Sequence, residues 1–114
     1  MAESDKNLWE ILVPTVRNDG RPFRTRYHRV WDAKVREVSG GLTLLPVVKG
    51  QWLDGNVLYH NERMIPVRII ATREEIEKII DMTIVYYEQE AVLAYRVAEE
   101  VILRNKSELK GKKK

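Results

Sequence analysis

Residues 42 to 75, LTLLPVVKGQWLDGNVLYHNERMIPVRIIATREE, decide the fold. The first part, Leu42 to Trp52, is rich in Leu and Val, and the segment from Val57 to Ile70 ends in β-branched residues. Asp54-Gly55-Asn56 between them is strong turn chemistry, so the two segments are predicted to pair as an antiparallel hairpin. Thr72 to Glu75 then has the spacing of a capping box, which predicts that a helix begins there.

The flanking segments complete the pattern. Apolar residues at helical spacing predict a second helix after Thr72 and a first helix after Phe23, the latter ending at Gly40-Gly41. Apolar runs at Leu8 to Val16 and Ala91 to Leu103 predict the first and last strands. The order βαββαβ indicates an α+β, ferredoxin-like fold with a four-stranded antiparallel sheet and both helices on one face.

Length and composition predict one intracellular domain. The chain has 114 residues and no cysteine, residues 1–7 are polar and do not resemble a secretory leader, and no apolar run approaches membrane-spanning length. We expect a flexible N-terminus at 1–7, a single domain at 8–103, a basic flexible tail at 104–114, and a cytoplasmic location. The net charge is +3, and the four lysines among residues 110–114 account for more than this surplus. The rest of the chain is therefore close to neutral, so nucleic acid is not an expected partner.

The second face of such a sheet would carry Val, Leu, Tyr and Trp, too much apolar surface to leave in water. Self-association is the economical way to cover it. Small domains of this pattern often form dimers or trimers with ligands between subunits, and by this analogy we expect a homo-oligomer, a trimer in preference to a dimer.

The hairpin contains one candidate ligand site. Gln51 and Trp52 precede the turn and Glu62 follows it, so an amide, an indole and a carboxylate surround one hairpin. Trp52 could stack on a flat or cationic group while Glu62 accepts from an amine or balances a positive charge. The alternative is that Trp52 is a core or interface residue and Glu62 is solvated.

A second candidate is Tyr86-Tyr87-Glu88-Gln89-Glu90, at the junction of the second helix and the last strand, with Glu88, Gln89 and Glu90 as its polar residues. Acidic residues are unfavourable at a helix C-terminus, where the macrodipole is already negative, and such local conflicts are sometimes functional. An ordinary solvated turn is the alternative.

The third candidate is an arginine cluster in the loop and first turns of the first helix, made of Arg17, Arg21, Arg24, Arg26, His28 and Arg29. It could hold a phosphate or carboxylate, with Arg24 and His28 as the binding residues. A solvated basic face or intersubunit salt bridges would explain it equally. The two histidines lie far apart without cysteine or ligand spacing, so no metal site is expected, and no cofactor is predicted.

Several segments together resemble a known family. Gly41-Leu42-Thr43, Gly50-Gln51-Trp52, Glu62 and Gln89-Glu90-Ala91-Val92 resemble the GLT, GQW, Glu and QEAV pattern of a bacterial family of unknown function. More faintly, residues 87–95 resemble a segment of the phage S-adenosylmethionine lyases, which are trimers of ferredoxin-like subunits that bind substrate between chains.

The lyase resemblance implies an activity. In that family the substrate's own carboxylate attacks its γ-carbon, releasing methylthioadenosine and a homoserine lactone, while the protein orients the molecule and balances charge. The important hairpin Tyr and Glu of that family correspond to Trp52 and Glu62. Trp lacks the phenolic hydroxyl, which Tyr59 could supply, and the arginine cluster could hold the phosphate of an adenylated substrate.

Three hypotheses follow. The first is a lyase that cleaves S-adenosylmethionine or a related adenosyl sulfonium at an intersubunit site, with Glu62 catalytic and Gln51, Trp52, Tyr59, Glu88, Gln89, Glu90, Arg24 and His28 binding the ligand. The second is a non-catalytic oligomeric module that binds a nucleotide-like metabolite in the same pocket. The third, a structural oligomer or nucleic-acid accessory, depends only on the tail and the arginines.

Overall fold

The computed structural model describes residues 5–54 and 57–109, except for the side chains at 52, 54 and 57–61. Its elements, in chain order, are β1 (Asn7–Pro14), α1 (Thr25–Ser39), β2 (Thr43–Leu44), β3 (Val48–Asp54), β4 (Val57–Ala71), α2 (Arg73–Tyr86), β5 (Ala94–Ala98) and a short 3-10 turn (Lys106–Glu108). The predicted turn at residues 55 and 56 lies outside the described residues.

The sheet is antiparallel and is organised around β4. Its order is β2–β4–β1–β5, and β3 also pairs with β4. Asn7 pairs with Ala71 and Pro14 with Met64, so β1 covers only the second half of β4. Both helices pack on one face, which confirms the predicted ferredoxin-like βαββαβ arrangement.

The predicted strand from Leu42 to Trp52 is two strands, β2 and β3. Leu44 pairs with Val67 and Val48 with Met64. Between these two pairs, the three residues 45–47 lie opposite only two residues of β4, 65 and 66. Pro46 lies in the gap and has no N–H to donate to the ladder, which explains the interruption.

The last strand is shorter than the predicted Ala91 to Leu103. Ala98 pairs with Leu8, and β1 begins only one residue earlier, at Asn7. The partner strand therefore ends, and the chain after Ala98 leaves the sheet.

Both predicted helix ends are confirmed. The Thr72 hydroxyl accepts from the Glu75 amide at 3.0 Å, and the Glu75 carboxylate accepts from the Thr72 amide at 2.9 Å. Gly40 ends α1 with a φ of 101°, a conformation that glycine adopts without steric cost. Within residues 5–54 and 57–109, neither helix has the length and apolarity needed to cross a bilayer.

The core between the sheet and the helices includes a buried polar contact between α1 and α2. It is built mainly from Ile11, Val13, Trp31, Val35, Val67, Ile69, Ile76, Ile79 and Tyr87. Within it, the Trp31 indole donates to the Thr83 hydroxyl at 2.9 Å, and that hydroxyl donates to the Ile79 carbonyl. Both polar groups are hydrogen-bonded, so this contact links α1 to α2 without leaving either group unpaired in the core.

Thr83→Val should destabilise the fold because it leaves the buried Trp31 N–H without an acceptor. We expect a loss of about 1–3 kcal/mol in the free energy of unfolding, measured by urea denaturation. Thr83→Ser, which keeps the hydroxyl, is the matched control and should lose less. Equal losses in the two variants would show that the hydrogen bond contributes nothing.

The sheet face opposite the helices, called here the far face, also contains a buried charge. Glu10 is only 8% exposed, and its carboxylate accepts from the Tyr95 hydroxyl and from Arg68 Nε, the latter at 2.9 Å. Burial alone raises the pKa of Glu10, but these two hydrogen bonds and the Arg68 charge outweigh it and lower the pKa. The folded state therefore favours the carboxylate.

A lowered pKa means that Glu10 stabilises the fold above the ordinary carboxyl pKa and loses this effect as the pH falls through its folded pKa. Glu10→Gln should therefore reduce the free energy of unfolding near pH 7 by about 1–2 kcal/mol. The difference from the wild type should shrink below about pH 4. Urea denaturation at both pH values tests this, with Glu99→Gln as the exposed control. A difference that does not change with pH would contradict the assignment.

Candidate functional site

Two groups of the predicted site residues meet at one end of the domain. The loop after β1 folds back there, α1 begins there, and α2 ends there. Asn18 Nδ2 donates to the Glu88 carbonyl at 3.0 Å, which connects the loop to the turn after α2. The Thr15 hydroxyl donates to the Arg63 carbonyl at 2.9 Å, which connects the loop to β4.

His28 is paired with Tyr87, a residue of the 86–90 segment to which the sequence analysis gave no ligand-binding role. Its Nδ1 lies 2.7 Å from the hydroxyl of Tyr87, and Tyr87 is 1% exposed. A buried tyrosine hydroxyl needs an acceptor, and in the described part of the chain this one bonds to His28. We therefore assign the proton in this bond to Tyr87, which leaves the proton of the neutral imidazole itself on Nε2.

Burial keeps this pair neutral. Burial lowers the pKa of His28, opposed by the carboxylate of Asp32 one turn further along α1. Burial also raises the pKa of Tyr87 far above its ordinary value, and Asp32 raises it further. Near neutral pH the site therefore presents a neutral imidazole and a protonated phenol.

A cleft of about 190 Å³ lies beside this pair. Thr25, Arg29 and Asp32 contribute polar groups from α1, while Ile65 and Val67 of β4 contribute an apolar wall. Its volume accommodates a small group or a few waters, and the adjoining imidazole could give or take a proton there.

Two tyrosines fix the relative position of the helices that form the cleft. The Tyr86 hydroxyl donates to the Tyr27 carbonyl at 2.8 Å, and the Tyr27 hydroxyl donates to the Tyr86 carbonyl. Their rings stack with centroids 4.1 Å apart. This reciprocal pair holds the start of α1 against the end of α2, so it sets the geometry of His28 and Tyr87.

The acidic turn after α2 has an unusual backbone conformation. Glu88 has a φ of 55°, in the left-handed region that costs a non-glycine residue about 1 kcal/mol. Gln89 donates from its side-chain amide to the Tyr87 carbonyl at 2.9 Å. Glu90 is exposed in the same turn. The turn therefore combines unfavourable charge at a helix end with backbone strain, a combination often found at functional positions.

Arg24 occupies the N-cap of α1. Its side chain makes no capping hydrogen bond, and its carbonyl accepts from the amides of Tyr27 and His28. Arg24 and His28 are thus one helical turn apart, as expected from the sequence.

The hairpin candidates lie on a two-stranded ribbon formed by β3 and the first half of β4. Glu62 pairs with Gly50, position 51 with Asn61, and position 52 with His60. Gln51 is exposed and Glu62 is half-buried. The side chains of Trp52 and Tyr59 lie outside those described, so their predicted contacts remain predictions.

The ribbon residue Glu62 and the cleft residue His28 are on opposite faces of the sheet. Ile65 and Val67 of β4 line the cleft, and side chains alternate along a strand, so Glu62 belongs to the far face. Within one chain, the structure therefore brings Arg24, His28 and the 88–90 turn together but does not bring Glu62 to them.

Sequence reasoning missed Asp32 and the role of the Tyr87 hydroxyl. Tyr87 belonged to the candidate segment 86–90 and to the apolar spacing of α2 but was given no ligand-binding role, and Asp32 was not considered. The spacing of His28 and Asp32 by four residues is a signal that could have found Asp32. The contact with Tyr87 spans 59 residues and needs the fold.

Among the described residues, no group of three or more His, Asp and Glu side chains is placed to hold a metal ion. The polar groups of the cleft instead offer hydrogen bonds and a titratable imidazole.

The strand order and helix placement define the class of protein, a ferredoxin-like α+β domain. No protein-family model matches the sequence, and no curated protein matches it. Solved structures share the fold. A phage SAM lyase in complex with S-methyl-5'-thioadenosine is similar with a TM-score of 0.62 and 12% identity, over 83% of this chain and 82% of that one.

Two CutA1 structures are similar to a comparable extent. CutA1 from a psychrotrophic Shewanella species has a TM-score of 0.63 at 10% identity, over 90% of this chain and 87% of its own. The divalent cation tolerance protein CutA1 from Thermus thermophilus has a TM-score of 0.59 at 9% identity, over 90% and 89%. At these identities the similarity establishes the fold alone.

The His28 titration tests the electrostatics of the cleft. In NMR spectra, the His28 ring signal should titrate below the ordinary histidine pKa of about 6.5. Asp32→Asn should lower the pKa of His28 further, because the lost carboxylate favours the charged imidazole. His60→Gln assigns the two histidine signals. A rise in the His28 pKa in Asp32→Asn would contradict this account.

Proposed function

We propose that the chain forms a homo-oligomer, a trimer in preference to a dimer, that binds an adenosyl sulfonium such as S-adenosylmethionine between subunits and cleaves it as a lyase. Glu62 balances the positive charge of the ligand, and Trp52 stacks on it. Arg24, His28 and residues 88–90 contribute the rim from a neighbouring subunit.

The ribbon carries this proposal. The pairing of Glu62 with Gly50 places the carboxylate across from a residue without a side chain, and position 52 is the next residue on the same face of β3. β1 ends at Pro14, which pairs with Met64. The part of β4 before Met64 therefore pairs with β3 but not with β1, and the ribbon extends past the end of β1. A two-stranded hairpin is marginal alone in water, which favours contact with another subunit.

The separation of the candidate residues supports an intersubunit site. Glu62 and His28 occupy opposite sheet faces within one chain, so a single subunit does not form one pocket from both. A second copy that packs its helix end against the ribbon would bring the two groups together. This is the reason to place the ligand between subunits.

The proposed reaction needs orientation more than acid–base chemistry. An oxygen of the substrate carboxylate forms a bond to the γ-carbon, the bond between that carbon and sulfur breaks, and its electron pair stays on sulfur. Methylthioadenosine and homoserine lactone result, and no proton has to be transferred. The protein would contribute by holding the carboxylate in line with the carbon–sulfur bond.

The comparison with the phage SAM lyase is consistent with this chemistry, since S-methyl-5'-thioadenosine is bound to that enzyme. By the resemblance in sequence, Trp52 corresponds to a tyrosine of the lyases, which keeps an aromatic face but removes a hydroxyl. Tyr59, on the opposite strand of the ribbon, is the residue we propose as a substitute donor.

The second candidate function is a non-catalytic binding module of the same oligomeric build. The similarity to CutA1 structures is as extensive as that to the lyase, so the fold does not favour catalysis over binding. The loss of the tyrosine hydroxyl at position 52 favours this candidate. Ligand binding without product release would distinguish it from the lyase.

Incubation of the full chain with S-adenosylmethionine, followed by chromatography of methylthioadenosine, tests the lyase. Glu62→Gln should lower kcat/KM by about tenfold or more, because a charge-assisted contact to the substrate is lost. Glu37→Gln, on the exposed face of α1, is the matched control and should leave turnover unchanged.

Light scattering on the same samples gives the oligomeric mass, and a thermal-shift assay reports binding. Product release by the wild type that is reduced only in Glu62→Gln supports the lyase. Binding without product supports the module instead. A monomer with neither binding nor product would overturn both.

A further inference from the structure

A second and larger cavity lies at the opposite end of β1 from the His28 cleft. Its volume is about 730 Å³, within the range of sites that hold small organic molecules. It lies between the far face of the sheet, the end of α1 and the segment of residues 101–108. The proposed lyase site does not involve it, although Gly41, Leu42 and Thr43, the GLT segment of the resemblance, line it.

Arg68 enters this cavity from the sheet in a fixed orientation. Its Nε donates to Glu10 at 2.9 Å, and the second oxygen of Glu10 is held by the Tyr95 hydroxyl. Glu10 is buried, whereas the Arg68 side chain is 40% exposed. A buried carboxylate with both oxygens engaged therefore anchors the guanidinium from one side.

The other side of that guanidinium is available. Within the described part of the chain, Arg68 hydrogen-bonds through Nε, which leaves its two Nη groups as donors, and Arg68 lines the cavity. Two Nη groups match a pair of oxygens in a carboxylate or a phosphate. Preorganisation by Glu10 reduces the entropy lost when such a group binds.

The remaining lining is mixed in a way that suits an amphipathic anion. Lys6 adds a second positive charge, and Leu8, Ile70 and Val101 form an apolar wall. The one lining carboxylate in the described residues, that of Glu108, is engaged by the amides of Asn105 within the 3-10 turn. Glu108 keeps its negative charge, so the described lining has two cationic groups, Arg68 and Lys6, against one carboxylate.

We propose that this cavity binds a small organic anion whose carboxylate or phosphate contacts Arg68 and Lys6 and whose apolar body lies along Leu8, Ile70 and Val101. The C-terminal segment forms the outer wall. The inference does not rest on the lyase proposal, because it uses a different cavity at the opposite end of the domain.

Calorimetry on the full chain tests the proposal with three probes that share an eight-carbon body: octanoate, octyl phosphate and 1-octanol. At least one anion should bind about tenfold or more tightly than the alcohol, because only the anions engage the guanidinium. The tighter of the two anions identifies the head group. Equal affinities for all three probes, or binding of none, would overturn the proposal.

Variants locate the binding. Glu10→Gln combined with Arg68→Leu removes the guanidinium without leaving a buried charge, and should weaken anion binding about tenfold. Lys6→Gln leaves the Glu10 network intact and should weaken it several-fold. Arg96→Gln, an exposed arginine of β5 paired with Glu99, is the control and should bind as the wild type does.

Circular dichroism tests whether each variant is folded. If the double variant is unfolded, the anion affinity of Lys6→Gln and the comparison of the anions with 1-octanol test the proposal. Unchanged anion affinity in the folded variants would overturn the proposal. A second combination of results would also overturn it: neither anion binds, and the Arg68 variant has a lower oligomeric mass than the wild type. The cavity would then be part of a subunit interface.

Discussion

The register between β1 and β4 is the constraint on which the rest of the structure depends. Pairing of Asn7 with Ala71 directs Ile11 and Val67 to the helices and Glu10 and Arg68 to the far face. A slip of one residue would reverse every side chain on the strand. The core, the Glu10 network and both candidate sites would then be lost together.

The same register divides the chemistry of the molecule between two faces. On the helix side, the neutral pair of His28 and Tyr87 adjoins a cleft held in shape by the Tyr27 and Tyr86 contacts. On the far face, Glu10 orients Arg68, and the ribbon carries Glu62. Titratable groups on opposite faces cannot cooperate within one subunit, so assembly determines whether the ribbon and the helix end form one site.

Local sequence signals succeeded where a short segment contains its own explanation. The Thr72 capping box and the Gly40 cap were predicted because each involves residues a few positions apart. Strand lengths were predicted less well. The strand from Leu42 was interrupted at Pro46, and the last strand ended at Ala98 because its partner begins at Asn7. Strand ends depend on the neighbouring strand, which propensity does not reveal.

By itself, the sequence determined the element order, the helix ends and the alternating pattern of the strands, because these follow from neighbouring residues. It also identified Arg24, His28 and the 88–90 turn as unusual. Only the tertiary structure paired His28 with Tyr87, 59 residues away, and Arg68 with Glu10, 58 residues away. Such contacts are set by sheet register and helix packing, which bring together side chains that no local pattern relates.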